Sequence, residues 1–252
     1  MQLEGKSALI TGGASGIGRG IALRYAQEGA DICIADIDAE GAAQTVAMIE
    51  AEGRRAIAVT ADVTKPGDTR QMIGAARNHF GDIDIAVANA GIARGGPFLD
   101  AQLADWQAVI DVNMTGVFLT AQAAARAMVD QSHGGRIILI SSTASERTGP
   151  GVGIYSASKA AVRMLTRSWA RELADFHINV NAIGPGVIET PMTADRLRDA
   201  PTPNDPNTFP WSIPWGRVGQ SSDVAGVALF LASPDAGYLT GQIIFVDGGL
   251  TA

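Results

Sequence analysis

The chain has 252 residues, 46% hydrophobic and 18% charged, a globular balance that excludes a disordered or fibrous protein and suffices for one large core. Its formal net charge is −7, from 19 basic against 26 acidic residues; without any basic cluster, this speaks against nucleic acid as a partner. The single cysteine, Cys33 in "DICIAD", excludes an internal disulfide, reads as a small core residue and suits a reducing cytoplasm.

"MQLEGKSALITGG" lacks the pattern of a signal peptide, and no stretch is expected to span a membrane. Apolar runs of strand length then alternate with helix-like stretches. "SALITG" precedes "GIGRGIALRYAQEG", "DICIAD" precedes "AEGAAQTVAMIEAEG", and "RRAIAVTADV" precedes a helix around "GDTRQMIGAARNHFG". After "IDIAVANAG" the region from Leu99 to Met128 reads as one extended helix kinked near Asn113–Gly116. "GRIILISS", a helix from about Tyr155 to Asp175, "INVNAIGPG", a short helix around "DVAGVALFLA" and "IIFVDGG" complete the series.

Continuous rather than alternating apolar strands imply a sheet buried on both faces, and strand–helix alternation implies right-handed parallel crossovers. The expected fold is therefore α/β: a single domain over 1–252, Rossmann-type, with a doubly wound parallel β-sheet and helices on both faces. The exception is 190–220, an irregular proline-rich segment holding Pro201, Pro203, Pro206, Pro210 and Pro214, of the kind that forms a substrate lid or a plain surface loop. Its Trp211 and Trp215 either line an apolar pocket or pin the loop to the body.

"TGGASGIG" closes the first strand and opens the first helix. Gly12, Gly16 and Gly18 let the backbone approach a pyrophosphate, and the helix N-terminus supplies amide donors and positive potential. Asp36, at the end of the second strand and 20 residues after Gly16, can accept hydrogen bonds from ribose hydroxyls and would repel a 2′-phosphate. No cation stands at Ser15 or Ile37, so NAD is favoured over NADP. In "YSASK", Tyr155 and Lys159 project from one helix face, one turn apart. The cation would draw the phenol, which ordinarily titrates near 10, towards its anion. His79, His133 and His177 are scattered, and none has a partner at metal-ligand spacing.

"TGGASGIG", "NAG" (Asn89–Gly91), "ISS" (Ile140–Ser142), "YSASK" and "PG" (Pro185–Gly186) follow in order over almost the whole chain, with Tyr155 thirteen residues after Ser142. Together they resemble the short-chain dehydrogenase/reductases. The resemblance implies Tyr155 as general acid/base, Lys159 as depressor of its pKa and ligand of the nicotinamide ribose, and Ser142 as holder of the substrate oxygen. Asn113 would support a water leading from Lys159 to solvent. Ser15, Gly16, Ile17 and Gly18 would meet the pyrophosphate, Asp62 and Val63 the adenine, Asn89, Ala90 and Gly91 the ribose edge, and Pro185, Gly186, Ile188 and Thr190 the carboxamide end of the nicotinamide. It also implies a homotetramer in which the apolar C-terminus "YLTGQIIFVDGGLTA" packs between subunits.

The chemistry of these residue types agrees. Hydride removal from a carbinol carbon leaves a carbonyl, so the hydroxyl proton must pass to a base. Ser141 is the rival of Ser142, but alternation along a strand sends the two to opposite faces. The expectation is a secondary-alcohol dehydrogenase using NAD(H), leaning towards a small polyol or sugar. A 3-oxoacyl-thioester reductase is the rival enzyme, and a non-catalytic dinucleotide sensor the rival of another class. Arg94, Glu146 and Arg147 stand near the expected substrate mouth, where they either bind substrate or are solvated loop charges.

Overall fold

The structure, a computed structural model, describes residues 1–199 and 213–252. Its strands are β1 (Ser7–Thr11), β2 (Asp31–Asp36), β3 (Ala56–Thr60), β4 (Ile85–Ala88), β5 (Gly135–Ile140), β6 (Ile178–Pro185) and β7 (Ile243–Val246). They form one sheet in the order β3-β2-β1-β4-β5-β6-β7, parallel at every pairing. The helices are α1 (Gly16–Gln27), α2 (Ala39–Ala51), α3 (Pro66–Phe80), α4 (Leu103–Ile110), α5 (Val117–Gln131), α6 (Gly153–Glu172), α7 (Ala194–Asp199) and α8 (Ser221–Ala232).

The two faces of the sheet follow from the period of two along each strand. Ile32 and Ile34 join one core cluster and Cys33 and Ala35 the other, as do Ile138 and Ile140 against Ile137 and Leu139. The first cluster takes Ile21 and Tyr25 from α1 and Val224 and Leu229 from α8. The second takes Met72 from α3, Met128 from α5 and Val162 from α6. With both faces covered, an apolar residue is favoured at every position, hence the continuous runs. Cys33 is fully buried, and burial pushes its thiol up to about 12, so it is an inert core residue.

From β1 the chain runs outward through β2 and β3, then returns to lay β4 against the other side of β1. The loops leaving β1 and β4 therefore diverge and open a crevice at the carboxyl ends of the strands. Asn89, just after β4, braces this point: its amide donates to Thr11 O and Gly12 O, both at 2.9 Å.

The structure corrects several expectations. The third strand stops at Thr60, because the Asp62 carboxylate accepts from Thr64 N at 2.9 Å and Thr64 Oγ1 at 2.8 Å and turns the chain. The helix expected from Leu99 begins at Leu103, and its irregularity is a π-helical segment, Asp111–Gly116, between α4 and α5. Gly116 accounts for the close packing there, since a Cβ on it would lie 2.6 Å from Val63 Cγ2. The continuous helix Leu103–Gln131 is, by length and composition, apolar enough to cross a bilayer, contrary to expectation. Its apolar residues Val117, Ala121, Ala124 and Met128 are buried in the second core cluster. At the C-terminus only Leu250 is buried; β7 is half-buried and Tyr238 fully exposed.

Residues 190–220 are not wholly irregular, since they include α7. An isolated parallel bridge between Ile188 and Gly219 draws together the two ends of the segment. Trp211, with Pro201, Pro203, Pro206 and Pro210, lies outside the described residues. Trp215 is 73% exposed, and its amide donates to Gly248 O at 3.0 Å. It pins the loop's return to the C-terminal turn.

Candidate active site

The crevice holds about 350 Å³ of open volume. Sixteen of the expected cofactor positions line it: Gly12, Ser15, Gly16, Ile17, Asp36, Asp62, Val63, Asn89, Ala90, Gly91, Tyr155, Lys159, Pro185, Gly186, Ile188 and Thr190. Gly18 lies behind the wall, where a Cβ would collide with Gly12 O and lie 2.6 Å from Asn89 Nδ2. The turn is thus drawn so close to α1 that only glycine fits. Ser15 is exposed at the N-terminus of α1, and its side chain makes no capping bond. Free backbone donors, a helix N-terminus and backbone bare of Cβ atoms fit a pyrophosphate.

The Asp36 carboxylate is held by two backbone donors, Ala14 N at 2.9 Å and Asp38 N at 3.0 Å. It is fixed at the rim, half-buried, with the exposed Asp38 beside it. The guanidinium of Arg19, at the glycine-rich turn, is spent elsewhere. It donates to Thr45 Oγ1 at 2.9 Å, to Gly41 O at 3.3 Å and to Ala14 O. Arg19 and Asp38 were missed in the sequence. Arg19 ties the glycine-rich turn to α2, a contact that no spacing rule announces. Asp36 and the turn together fit the adenosine end of a nicotinamide dinucleotide.

At the other end, β5 delivers Ser142 and α6 delivers Tyr155 and Lys159. Ser141 Oγ is buried and donates to Lys159 O at 2.9 Å, so it cannot serve a substrate. Ser142 Oγ accepts from Ala144 N at 3.1 Å, which leaves its own proton free to donate. Burial raises the Tyr155 phenol above its ordinary 10, and a hydrogen bond with Ser142 pulls it back.

Lys159 stands beside Tyr155 in the crevice wall. Its ammonium is 3% exposed and donates to Ile140 O at 2.9 Å. It stands 5.7 Å from the Tyr155 ring centroid, and burial lowers its own pKa to about 8.

Asn113 is fully buried behind the cleft rather than in it. Its Oδ1 accepts from Ile92 N at 2.9 Å, and its Nδ2 donates to Ile92 O at 2.9 Å and to Ser158 Oγ at 3.1 Å. The amide is fully engaged in binding α6 to the β4 loop, so any contact with a water relay falls to its backbone. The three charged residues at the mouth are also engaged. Arg94 pairs with Asp105 at 3.5 Å, Glu146 pairs with Arg163, and Arg147 donates to Leu250 O at 2.9 Å and Ala252 O at 3.4 Å. Ile92, Val112, Pro191 and Met192, none of them anticipated, supply apolar lining. Among the described residues no group of His, Cys, Asp and Glu could hold a metal ion.

The chain matches the family model described as enoyl-(acyl carrier protein) reductase over residues 12–251. It is 41% identical to a 3-oxoacyl-(acyl-carrier-protein) reductase of Thermotoga maritima, covering 99% of both chains. It is 39% identical to a sorbitol dehydrogenase of Cereibacter sphaeroides, covering 99% of this chain and 98% of that one. Among solved structures, a short-chain type dehydrogenase/reductase from Mycobacterium marinum superposes with a TM-score of 0.92 at 41% identity, covering 100% of this chain and 97% of that one. A dinucleotide crevice at the sheet's reversal point, facing a serine, a tyrosine and a buried lysine, thus coincides with full-length likeness, and the chain belongs to the short-chain dehydrogenase/reductases, enzymes that work with a nicotinamide dinucleotide.

Proposed function

We propose that this enzyme interconverts a neutral secondary alcohol and its ketone with NAD(H). The observation that carries the reading is that Ser142, Tyr155 and the buried Lys159 line one crevice together with the glycine-rich turn and Asp36. A bound nicotinamide supplies the hydride acceptor, or in reverse the donor. The single Ser142 proton turns from the phenol to the substrate oxygen when substrate binds, and orients it. Tyr155 takes the hydroxyl proton in oxidation and returns it in reduction. Lys159 holds the nicotinamide ribose, and Asp36 the adenosine ribose. A sensor would need no such pair, so the non-catalytic reading is the weaker one.

The likeness to a sorbitol dehydrogenase supports the polyol or sugar lean. A specific observation supports a second reading, an apolar or cyclic alcohol. A polyol must have its hydroxyls matched by polar groups, whereas Arg94, Glu146 and Arg147 are all committed within the protein and the added lining is apolar. Among the described residues, the engagement of Arg94 and Arg147 within the protein likewise weighs against a 3-oxoacyl-thioester, whose carrier brings phosphate to the mouth. The half-buried β7 and the exposed Tyr238 support a homotetramer, to be read by light scattering. The lone buried Cys33 supports a cytoplasmic location.

The test is NADH formation across polyols, aldoses, hydroxy acids and cyclic alcohols, with NADP⁺ in parallel and with Tyr155→Phe as control. Turnover that is lost in Tyr155→Phe while NADH still binds supports the reading. Turnover that survives in Tyr155→Phe overturns it.

A further inference from the structure

Beyond Ser142 the chain makes a tight turn. Ser142 O accepts from Ser145 N at 3.0 Å, and Thr143 O accepts from Glu146 N and Arg147 N at 2.9 Å each. Ser142 and Glu146 therefore move as one unit. Three successive side chains then anchor that unit. Glu146 pairs with Arg163, Arg147 holds the C-terminal carbonyls, and Thr148 Oγ1 donates to Ser156 Oγ at 2.9 Å.

Arg163 is four residues after Lys159 and eight after Tyr155, so all three share one face of α6. Its guanidinium carbon stands 6.0 Å from the Phe245 ring centroid on β7, which fixes its inner side. The pair is partly shielded, at 28% side-chain exposure for Arg163 and 41% for Glu146, a better setting for an ion pair than open surface. It joins the turn that carries Ser142 to the helix that carries Tyr155.

We propose that the Glu146–Arg163 pair is a positioning device that holds the turn carrying Ser142 against the helix carrying Tyr155. It rests on the reading of Ser142 and Tyr155 as the reacting pair. The other groups at the phenol are Lys159 on its own helix and Ser142 from the facing turn; Arg147 is turned away to the C-terminus. Neither Glu146 nor Arg163 touches the reacting atoms in this scheme.

The device has a signature that a direct field effect lacks. Loss of the Arg163 cation by itself would raise the phenol's pKa, and loss of the Glu146 anion by itself would lower it. Positioning predicts that both losses raise it, because each frees Ser142 from the phenol.

The experiment is an ultraviolet phenolate titration of wild type, Glu146→Gln, Arg163→Met, Arg163→Lys and Ser142→Ala. The wild-type spectrum minus that of Tyr155→Phe isolates this phenol from Tyr25 and Tyr238. Met keeps the stem against Phe245, so Arg163→Met preserves packing, and Lys keeps the charge. Positioning requires the titration to move to higher pH in both Glu146→Gln and Arg163→Met and to return towards wild type in Arg163→Lys. With a substrate in hand, kcat falls about tenfold in the first two, with KM for the dinucleotide unchanged. A downward or absent shift in Glu146→Gln overturns the proposal. If Ser142→Ala itself leaves the phenol unmoved, the failure lies instead with the Ser142–Tyr155 pair and the functional reading.

Discussion

Asp36→Asn tests the cofactor reading most directly. The variant keeps the side chain's shape and one carbonyl oxygen for Ala14 N or Asp38 N, but removes the charge at the rim. A 2′-phosphate carries roughly −1.5 to −2 charges at neutral pH. Two unit charges about 4 Å apart repel by roughly 4 kcal/mol at an effective dielectric of about 20. Asp36 is only half-buried, and two backbone amides neutralise part of its field. Discounting to about a third leaves about 2–3 kcal/mol, or roughly a 30- to 150-fold preference for NAD⁺ in kcat/KM. In Asp36→Asn that ratio falls at least about tenfold without inverting, because no cation replaces the lost charge: Arg19 is committed elsewhere. Initial rates with NAD⁺ and NADP⁺ on one alcohol give the ratio for both proteins. Wild-type preference for NADP⁺, or a ratio unmoved by the substitution, would refute the reasoning.

Gly18→Ala, which sets a methyl group against Gly12 O, should abolish dinucleotide binding in calorimetry and cost at least about 2 kcal/mol in urea unfolding; near-native behaviour in both would show that the turn is not tight. Lys159→Met should change stability in a pH-dependent way. Because the folded amine titrates near 8 rather than its ordinary 10.5, the unfolded chain binds the extra proton between those values, and wild-type stability rises with pH across that window. The cost of the buried charge, up to about 3 kcal/mol, is fully present below pH 8. The Tm difference in favour of Met is therefore largest near pH 7 and shrinks towards pH 10.5; a difference constant with pH would contradict the buried ammonium.

All seven strands were legible because a sheet covered on both faces demands apolar residues without interruption, and DICIAD and GRIILI meet that demand whatever packs on them. The glycine turn was legible for a local reason, since Gly12 takes a positive φ and Gly18 answers to the Gly12 backbone six residues before it. What escaped depends on partners far apart in the chain. Asn113 showed its place in a helix irregularity but not its partner, because the Ile92 backbone reaches it only after β4 and α6 have docked. Glu146 and Arg147 looked like solvated or substrate-binding charges, since nothing local reveals Arg163 or the C-terminal carbonyls. The apolar helix Leu103–Gln131 escaped as a span-length segment because its Asp111, Asn113 and Thr115 break the run to the eye.

The burial of Lys159 beside Tyr155 bears on the direction of catalysis. Burial acts with opposite sign on the two groups that face each other: it raises the phenol above 10 and lowers the ammonium from 10.5 to about 8. The Ser142 hydrogen bond opposes only the first of these shifts. In the protein by itself the proton on Tyr155 is therefore held more tightly than that on Lys159, and the residue rests as an acid, poised to protonate a ketone oxygen. The basic form needs either alkaline solution or additional positive charge beside the ring. Oxidation should thus accelerate with rising pH until the phenol has titrated, while reduction loses its acid and slows over the same range. Ser142→Ala removes a hydrogen bond that pulls the phenol down and should carry both limbs to higher pH. Parallel limbs in the two directions, or limbs that ignore Ser142, would mean that some group other than Tyr155 moves the proton.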